Sequence, residues 1–68
     1  MLTPLRKLRE QRKVTINELS QAVGIDVGNL SRIERGLQRA SLEQAKRISD
    51  FFSIEISVME IISPEHRQ

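Results

Sequence analysis

The sequence predicts an all-α fold in which short helices are joined by tight turns. Residues that commonly cap helices stand directly before apolar positions three or four residues apart, which is the spacing of an amphipathic helix. Gly24 and Gly36 follow two of these segments, where a glycine supplies the positive φ that helix ends often need. The 68 residues contain no internal repeat, and they suffice for one domain over 1–68 with a short frayed tail over 63–68.

The first predicted helix is strongly basic and begins after Thr3, a candidate N-cap. Pro4 suits the first helical position, because its missing N–H would have no partner there. Leu5 and Leu8 mark the apolar face, and the helix is expected to run to about Arg12.

A capping box formed by Thr15 and Glu18 predicts the second helix over 16–23, since each side chain satisfies the backbone N–H of the other residue. Gly24 ends this helix. One side of the helix is expected to be apolar, and it consists of Leu19, Ala22 and Val23.

The third and fourth helices follow after short connections. Asp26 is the N-cap candidate of a helix over 27–35, which Gly36 stops. The clearest core positions of this third helix are Leu30 and Ile33. Ser41 caps the fourth helix, and Glu43 favours the positive end of its dipole. The apolar stripe of the fourth helix comprises Leu42, Ala45, Ile48, Phe51 and Phe52.

Residues 54–62 are compatible with two structures. Apolar and polar residues alternate over 54–58, as they do in a strand. Ser57 and Glu60 form a second capping box, however, and the residues after Ser57 suit a short helix. The helix is the favoured interpretation, and Pro64 ends the segment in either case.

The composition excludes several classes of function. The sequence has no cysteine, and its one histidine, His66, stands in the predicted tail, so no set of nucleophile, base and acid is available for an enzyme. No phosphate-binding glycine loop or cluster of metal ligands appears, and neither a cofactor nor a small-molecule ligand is expected. No apolar run approaches the roughly 18 residues of a membrane span. No signal peptide is evident, and a cytoplasmic protein is expected.

The charges are distributed unevenly along the chain. Residues 1–47 hold ten Lys and Arg against five Asp and Glu, whereas residues 48–68 hold one against four. The basic part could face phosphates while the acidic end faces away from them. An ordinary mixed surface explains the same distribution equally well.

Two stretches of the sequence resemble the Cro/C1-type helix-turn-helix family, which includes phage repressors and many small bacterial regulators. They are TINELSQAVGI over 15–25 and LSRIERG over 30–36. The similarity continues through Ser41, Leu42, Ala45, Ile48 and Phe52. It implies a compact, lambda-repressor-like bundle of about five helices with a central helix-turn-helix. It also implies a repressor-like regulator that binds double-stranded DNA sequence-specifically, with the third helix in the major groove.

The resemblance also implies an ion pair between the first and third helices. In the family, an arginine of the first helix commonly pairs with the glutamate before the glycine that ends the third helix, and these positions hold Arg9 and Glu34. The helix dipole disfavours a carboxylate at a helix C-terminus, so Glu34 should have a partner. A merely solvated Glu34 is the alternative.

The candidate base contacts lie on the third helix, on the side away from its core positions. They are Val27, Gly28, Asn29, Ser31 and Arg32. Arg32 is the best candidate, because its guanidinium matches the O6 and N7 edge of guanine. A phosphate contact or a surface ion pair is the alternative for Arg32. Gly28 weakens a helix, and either close approach of the backbone to DNA or a neutral surface glycine explains it.

The candidate phosphate contacts flank the third helix, where they would fix register without reading sequence. They are Thr15, Asn17, Arg35, Gln38 and Arg39. The family often has a glutamine that touches a phosphate at the start of the second helix. Ile16 stands there and cannot donate that hydrogen bond, so it is expected to pack instead.

The partner of the domain has more than one interpretation. An antitoxin or an adaptor module, which binds a protein partner, is the alternative to a DNA-binding regulator. A homodimer is expected, because one such domain buries too little surface against DNA for tight specific binding. Some of the apolar residues near the C-terminus are proposed to form a symmetric dimer contact, and the alternative is that all of them belong to the core. They are Ile56, Val58, Met59, Ile61 and Ile62.

Overall fold

Five α-helices joined by turns make up the computed structural model, which describes residues 3–63. The helices are α1 Pro4–Gln11, α2 Ile16–Val23, α3 Val27–Glu34, α4 Leu42–Phe51 and α5 Val58–Ile62. No strand occurs over 3–63, so the predicted all-α fold is confirmed and the strand alternative for 54–62 is wrong. Pro64 and His66 lie outside the described residues.

Side-chain caps define where the helices begin. Each N-cap side chain accepts a hydrogen bond from a backbone N–H in the first turn of its helix. These N-caps are Thr3, Thr15, Asp26, Ser41 and Ser57. The capping boxes predicted at Thr15 and Ser57 are present. A third capping box, between Ser41 and Gln44, was not predicted from the sequence.

The packing centres on α4, which contacts both α2 and α5. In turn, α5 contacts α1, and α3 packs mainly against α2. The buried apolar residues of the described chain form one cluster, comprising Leu5, Leu19, Val23, Ile25, Leu30, Ile33, Ala40, Ala45, Ile48, Phe52, Ile56 and Ile61. Because α3 is held mainly from one side, its other side faces solvent.

Three residues predicted for apolar faces are exposed instead. Leu42 is 61% and Phe51 is 40% exposed, and Ala22 is exposed as well. The buried residues of α4 have the spacing i, i+3, i+4 and i+7, and they are Ala45, Ile48, Ser49 and Phe52. Phe51 stands about 100° around the helix from Phe52, so it falls outside this face. Ala22 has the same relation to Val23 in α2, and Leu42 stands at the open end of α4.

The apolar residues over 56–62 that were considered for a dimer contact differ in their burial. Ile56 and Ile61 are each only 2% exposed, so these two residues belong to the core and not to a surface contact. Both side chains complete the core where α5 meets α4 and α1. Val58 and Ile62 are half-buried, and Met59 is exposed.

Ser49 is a buried polar residue that the apolar pattern does not reveal. Its Oγ donates a hydrogen bond to the carbonyl of Ile56 at 2.8 Å. In the turn between them, Ser53 and Ile54 have positive φ angles of 54° and 64°, and the backbone N–H of Ile54 donates to the carbonyl of Ser49 at 2.8 Å. This turn ends α4 and returns the chain so that Ile56 enters the core.

Two further features follow from the described helices. Over residues 3–63, no helix is long and apolar enough to cross a membrane. The same residues contain no group of three or more His, Cys, Asp or Glu that could hold a metal ion.

Candidate DNA interface

A short turn joins α2 to α3, and its three residues have different tasks. Gly24 takes the left-handed conformation, with φ 69° and ψ 33°, and ends α2. Asp26 caps α3, and Ile25 between them is buried in the core. The Oγ of Ser20 donates to the carbonyl of Ile25, which ties the turn back to α2. The turn therefore sets the orientation of α3 relative to α2.

One face of α3 is buried and the other is open. Leu30 and Ile33 are buried, as predicted. Among the five candidate base contacts, Val27 and Arg32 are exposed. The other three are half-buried, and they are Gly28, Asn29 and Ser31. All five candidates therefore keep some access to solvent, although their contact with bases remains a prediction.

The side chain of Arg32 contacts two other candidate residues. Its Nε donates to Oε1 of Gln38 at 3.0 Å, and its Nη2 donates to Oδ1 of Asn29 at 2.6 Å. We call these three residues the arginine cluster. Both acceptors are uncharged amides, and no carboxylate of the described residues pairs with Arg32. Within residues 3–63, the surface ion pair considered for Arg32 is therefore not formed.

Contacts within the protein explain why position 28 is a glycine. The Oδ2 atom of Asp26 accepts hydrogen bonds from the backbone N–H groups of Gly28, at 2.9 Å, and Asn29, at 3.3 Å. A Cβ at position 28 would lie 3.0 Å from that oxygen and 3.7 Å from Nη1 of Arg32. A side chain at position 28 would thus crowd the cap of α3 and approach the guanidinium of Arg32.

Four of the five candidate phosphate contacts are exposed, and three of them, Thr15, Asn17 and Arg35, lie at the ends of α2 and α3. Thr15 is exposed, although its Oγ1 accepts the N–H of Glu18 at 3.0 Å as part of the cap. Asn17 is exposed in the first turn of α2. Arg35 is exposed just after α3, and its Nε approaches the carbonyl of Ser31 at 3.4 Å. For these three residues the contact with phosphate stays a prediction.

Arg39 is held against the end of the last helix. Its Nη1 donates to the carbonyl of Ile62 at 3.2 Å and to Oγ of Ser63 at 2.7 Å. The C-terminal end of a helix favours a cation, so this position suits the guanidinium. The structural role was not predicted from the sequence, and a phosphate contact by Arg39 would compete with it.

Arg9 and Glu34 form a two-pronged ion pair. The Nε of Arg9 meets Oε2 of Glu34 at 2.5 Å, and Nη2 meets Oε1 at 3.0 Å. Glu34 is only 2% exposed, so the solvated alternative is wrong. Arg9 also donates to the carbonyl of Val14 at 2.8 Å, and the hydroxyl of Thr3 donates to the carbonyl of Glu34 at 2.7 Å. These contacts fix the C-terminal end of α3 against α1.

Comparison with known proteins agrees with this geometry. The family model described as helix-turn-helix matches residues 5–59 of the chain. The chain belongs to the Cro/C1-type helix-turn-helix family. A protein of Thermococcus kodakarensis, provisionally named an HTH-type transcriptional regulatory protein, is 40% identical over 48 residues. The match covers 71% of this chain and 15% of that protein, so the chain spans a small part of the relative's length.

No solved structure matches the chain with comparable significance. Regulators of the helix-turn-helix family are typically not enzymes, which agrees with the expectation from composition.

Ile16 marks the departure of this helix-turn-helix chain from the family pattern. Its side chain is half-buried and packs against the core, as expected. The start of α2 therefore lacks the glutamine side chain that often touches a phosphate in the family. Thr15 and Asn17 are the neighbouring polar groups available for that task.

The ion pair between Arg12 and Glu55 in this helix-turn-helix domain was not predicted from the sequence. The Nε of Arg12 donates to Oε1 of Glu55 at 2.8 Å, and Nη2 of Arg12 meets Oε2. The hydrogen bond and the charge of Glu55 raise the pKa of Arg12 above its usual value. Because the charge of Glu55 balances that of Arg12, Arg12 adds little to the positive potential of the surface. The two residues are 43 positions apart, so no local pattern reveals the pair.

Proposed function

We propose that this helix-turn-helix protein is a repressor-like transcriptional regulator that binds double-stranded DNA sequence-specifically. In this proposal α3 enters the major groove, and its exposed residues reach the bases. The observation that carries the proposal is Arg32 on the open face of α3, held by neutral amides and not paired with any carboxylate of residues 3–63. A guanidinium in that state can still bind an anion or a base edge.

The flanking residues would supply phosphate contacts that fix the register of α3 on DNA. Thr15, Asn17 and Arg35 are the strongest candidates, since their side chains are exposed at the ends of α2 and α3. Arg39 would have to leave its contact with α5, and Gln38 would have to leave Arg32. We propose a cytoplasmic location, where such a regulator meets DNA.

A homodimer would place two α3 helices on two half-sites about one helical turn apart. Met59 is 52% exposed on α5, with the half-buried Val58 and Ile62 in the same helix. We propose that these three residues contribute to a symmetric contact. The second protomer would add the DNA-contact area that a single small domain lacks.

The test of DNA binding is its dependence on salt, measured by fluorescence anisotropy with a labelled random-sequence duplex. Only contacts by charged side chains release counterions, so phosphate contacts by Arg35 and Arg39 predict a slope of about −2 in log K against log salt for each bound protomer. Affinity per protomer should then fall by about tenfold between 50 and 200 mM salt. Arg35→Ala should reduce the slope by about one. A salt-independent affinity, or no binding at low salt, would overturn the proposal.

The second candidate is a module that binds a protein partner, as an antitoxin or an adaptor. The exposed apolar side chains of Leu37 and Ile54, 67% and 71% exposed, favour it. A pure protein-binding module predicts no steep salt dependence on DNA, so the same titration separates the two candidates.

A further inference from the structure

The arginine cluster assigns Asn29 and Gln38 a task that differs from direct contact with DNA. Resting on the proposed DNA-binding function, we propose that these two amides are positioning residues, which hold the Arg32 guanidinium ready to read one guanine. In this proposal they set sequence specificity without touching the DNA themselves.

The cluster depends on how the chain turns after α3. Gly36 has a φ of 76°, and the N–H of Leu37 donates to the carbonyl of Arg32 at 2.9 Å. This left-handed turn returns the chain towards α3, so that Gln38 reaches Nε of Arg32. Asn29 approaches the same side chain from within α3, three residues earlier. The guanidinium is therefore held from two sides.

The charge of Arg32 is preserved in this arrangement. Other arginines of the chain meet carboxylates within 4 Å, and they are Arg6, Arg9, Arg12 and Arg47. Asn29 and Gln38 offer oxygens that accept hydrogen bonds without neutralising the cation. The cluster therefore restrains the side chain but leaves its positive charge available to a ligand.

The hydrogen-bonding capacity of Arg32 also suits a base edge. A guanidinium has five N–H donors, and the two amides occupy two of them. Both donors on Nη1 have no acceptor among the described residues, and the absent side chain of Gly28 leaves space beside them. Guanine presents two adjacent acceptors, O6 and N7, in the major groove. A restrained guanidinium loses less conformational entropy when it binds them than a mobile one does.

The test begins with selection of preferred duplexes from a random pool by the wild-type protein and by Arg32→Ala. The selected sequences are aligned, and the position at which the preference for guanine is lost with Arg32→Ala identifies the base that Arg32 reads. Dissociation constants are then measured for the selected duplex and for the same duplex with that G·C pair changed to A·T. The wild type should discriminate by at least about tenfold, as a two-pronged contact to guanine does.

The decisive variants are Gln38→Ala and Asn29→Ala. Each should lower the discrimination at that base pair several-fold, towards the value of Arg32→Ala. Binding to a random-sequence duplex should change by less than about twofold, because the charge of the protein is unchanged. Gln38→Glu would place a carboxylate beside Nε of Arg32 and neutralise the guanidinium, so it should weaken binding to every duplex and lower the discrimination as well.

The matched control is Arg35→Ala, which removes an exposed arginine without an amide partner among the described residues. It should weaken all duplexes alike. The proposal is overturned if Gln38→Ala behaves in the same way, with the discrimination ratio unchanged, because Gln38 would then contact phosphate. It is also overturned if no guanine in the selected sequences depends on Arg32. If the wild type enriches no duplex at all, the proposed function itself fails, which is a distinguishable result.

Discussion

Arg9 and Arg32 show how residues of one type take opposite roles within the same basic half of the chain. Arg9 forms an ion pair with the buried carboxylate of Glu34, so its guanidinium has a structural role. Arg32 donates to two neutral amides near solvent, and no carboxylate of residues 3–63 pairs with it. The difference lies in the surroundings of the two guanidinium groups, since the side chains are identical.

At the residue scale, Glu34→Ala should be strongly destabilising. It would leave the guanidinium of Arg9, whose side chain is 14% exposed, without its charged partner. Breaking such a pair costs about 3 kcal/mol of the free energy of unfolding. Urea denaturation followed by circular dichroism measures the loss.

The control for this change is Glu10→Ala, which removes the exposed partner of Arg6 at 3.2 Å. An exposed pair within one helix contributes about 0.5 kcal/mol or less. Equal losses for the two variants would contradict the buried role of Glu34.

Individual helices illustrate how far local sequence predicts structure. The starts of α1, α2 and α3 agree with the caps read from Thr3, Thr15 and Asp26. Caps and glycine stops act within four or five residues, so they are legible in the sequence. The buried face of α4 was predicted less well, because Leu42 and Phe51 are as apolar as the residues that are buried.

At the scale of the helix-turn-helix element, Gly24→Ala should destabilise the protein by about 1–2 kcal/mol, the cost of a left-handed residue with a Cβ. The cost comes from the backbone, because a Cβ at position 24 would lie 3.5 Å from Nη1 of Arg47, an ordinary contact. Thermal unfolding measures the change.

Gly24→Asn is the matched variant, since asparagine tolerates the left-handed conformation better than alanine does. It should therefore lose less stability than Gly24→Ala. An alanine variant as stable as the wild type would show that the turn does not depend on the φ of 69°.

For the whole molecule, the proposed dimer predicts that Met59→Glu shifts the association equilibrium towards monomer. A carboxylate would be buried without a partner in a symmetric apolar contact, which is unfavourable. Sedimentation velocity at micromolar concentration, with and without a selected duplex, measures the shift.

Leu42→Glu provides the comparison, because Leu42 is similarly exposed but lies on α4. It should leave the association unchanged if the contact is formed by α5. A wild-type protein that is monomeric both alone and on DNA would contradict the dimer.

The candidate site combines residues that local sequence indicates with contacts that it does not. The exposed face of α3 follows from its spacing, because Leu30 and Ile33 identify the opposite face. The hydrogen bond between Arg32 and Gln38 requires the turn at Gly36, and the tie between Arg39 and α5 spans 23 residues. Such contacts depend on how the helices are arranged in space.

Local sequence decides that this chain is all-α, where most helices begin and end, and which helix offers an open polar face. Capping, glycine stops and helical spacing act over a few residues, and each leaves its own pattern. The tertiary structure alone decides that Ile56 and Ile61 are core residues while Met59 is exposed. It also decides which arginines are neutralised and which keep their charge. Burial and ion pairing depend on neighbours that are distant in the sequence, and only packing brings those neighbours together.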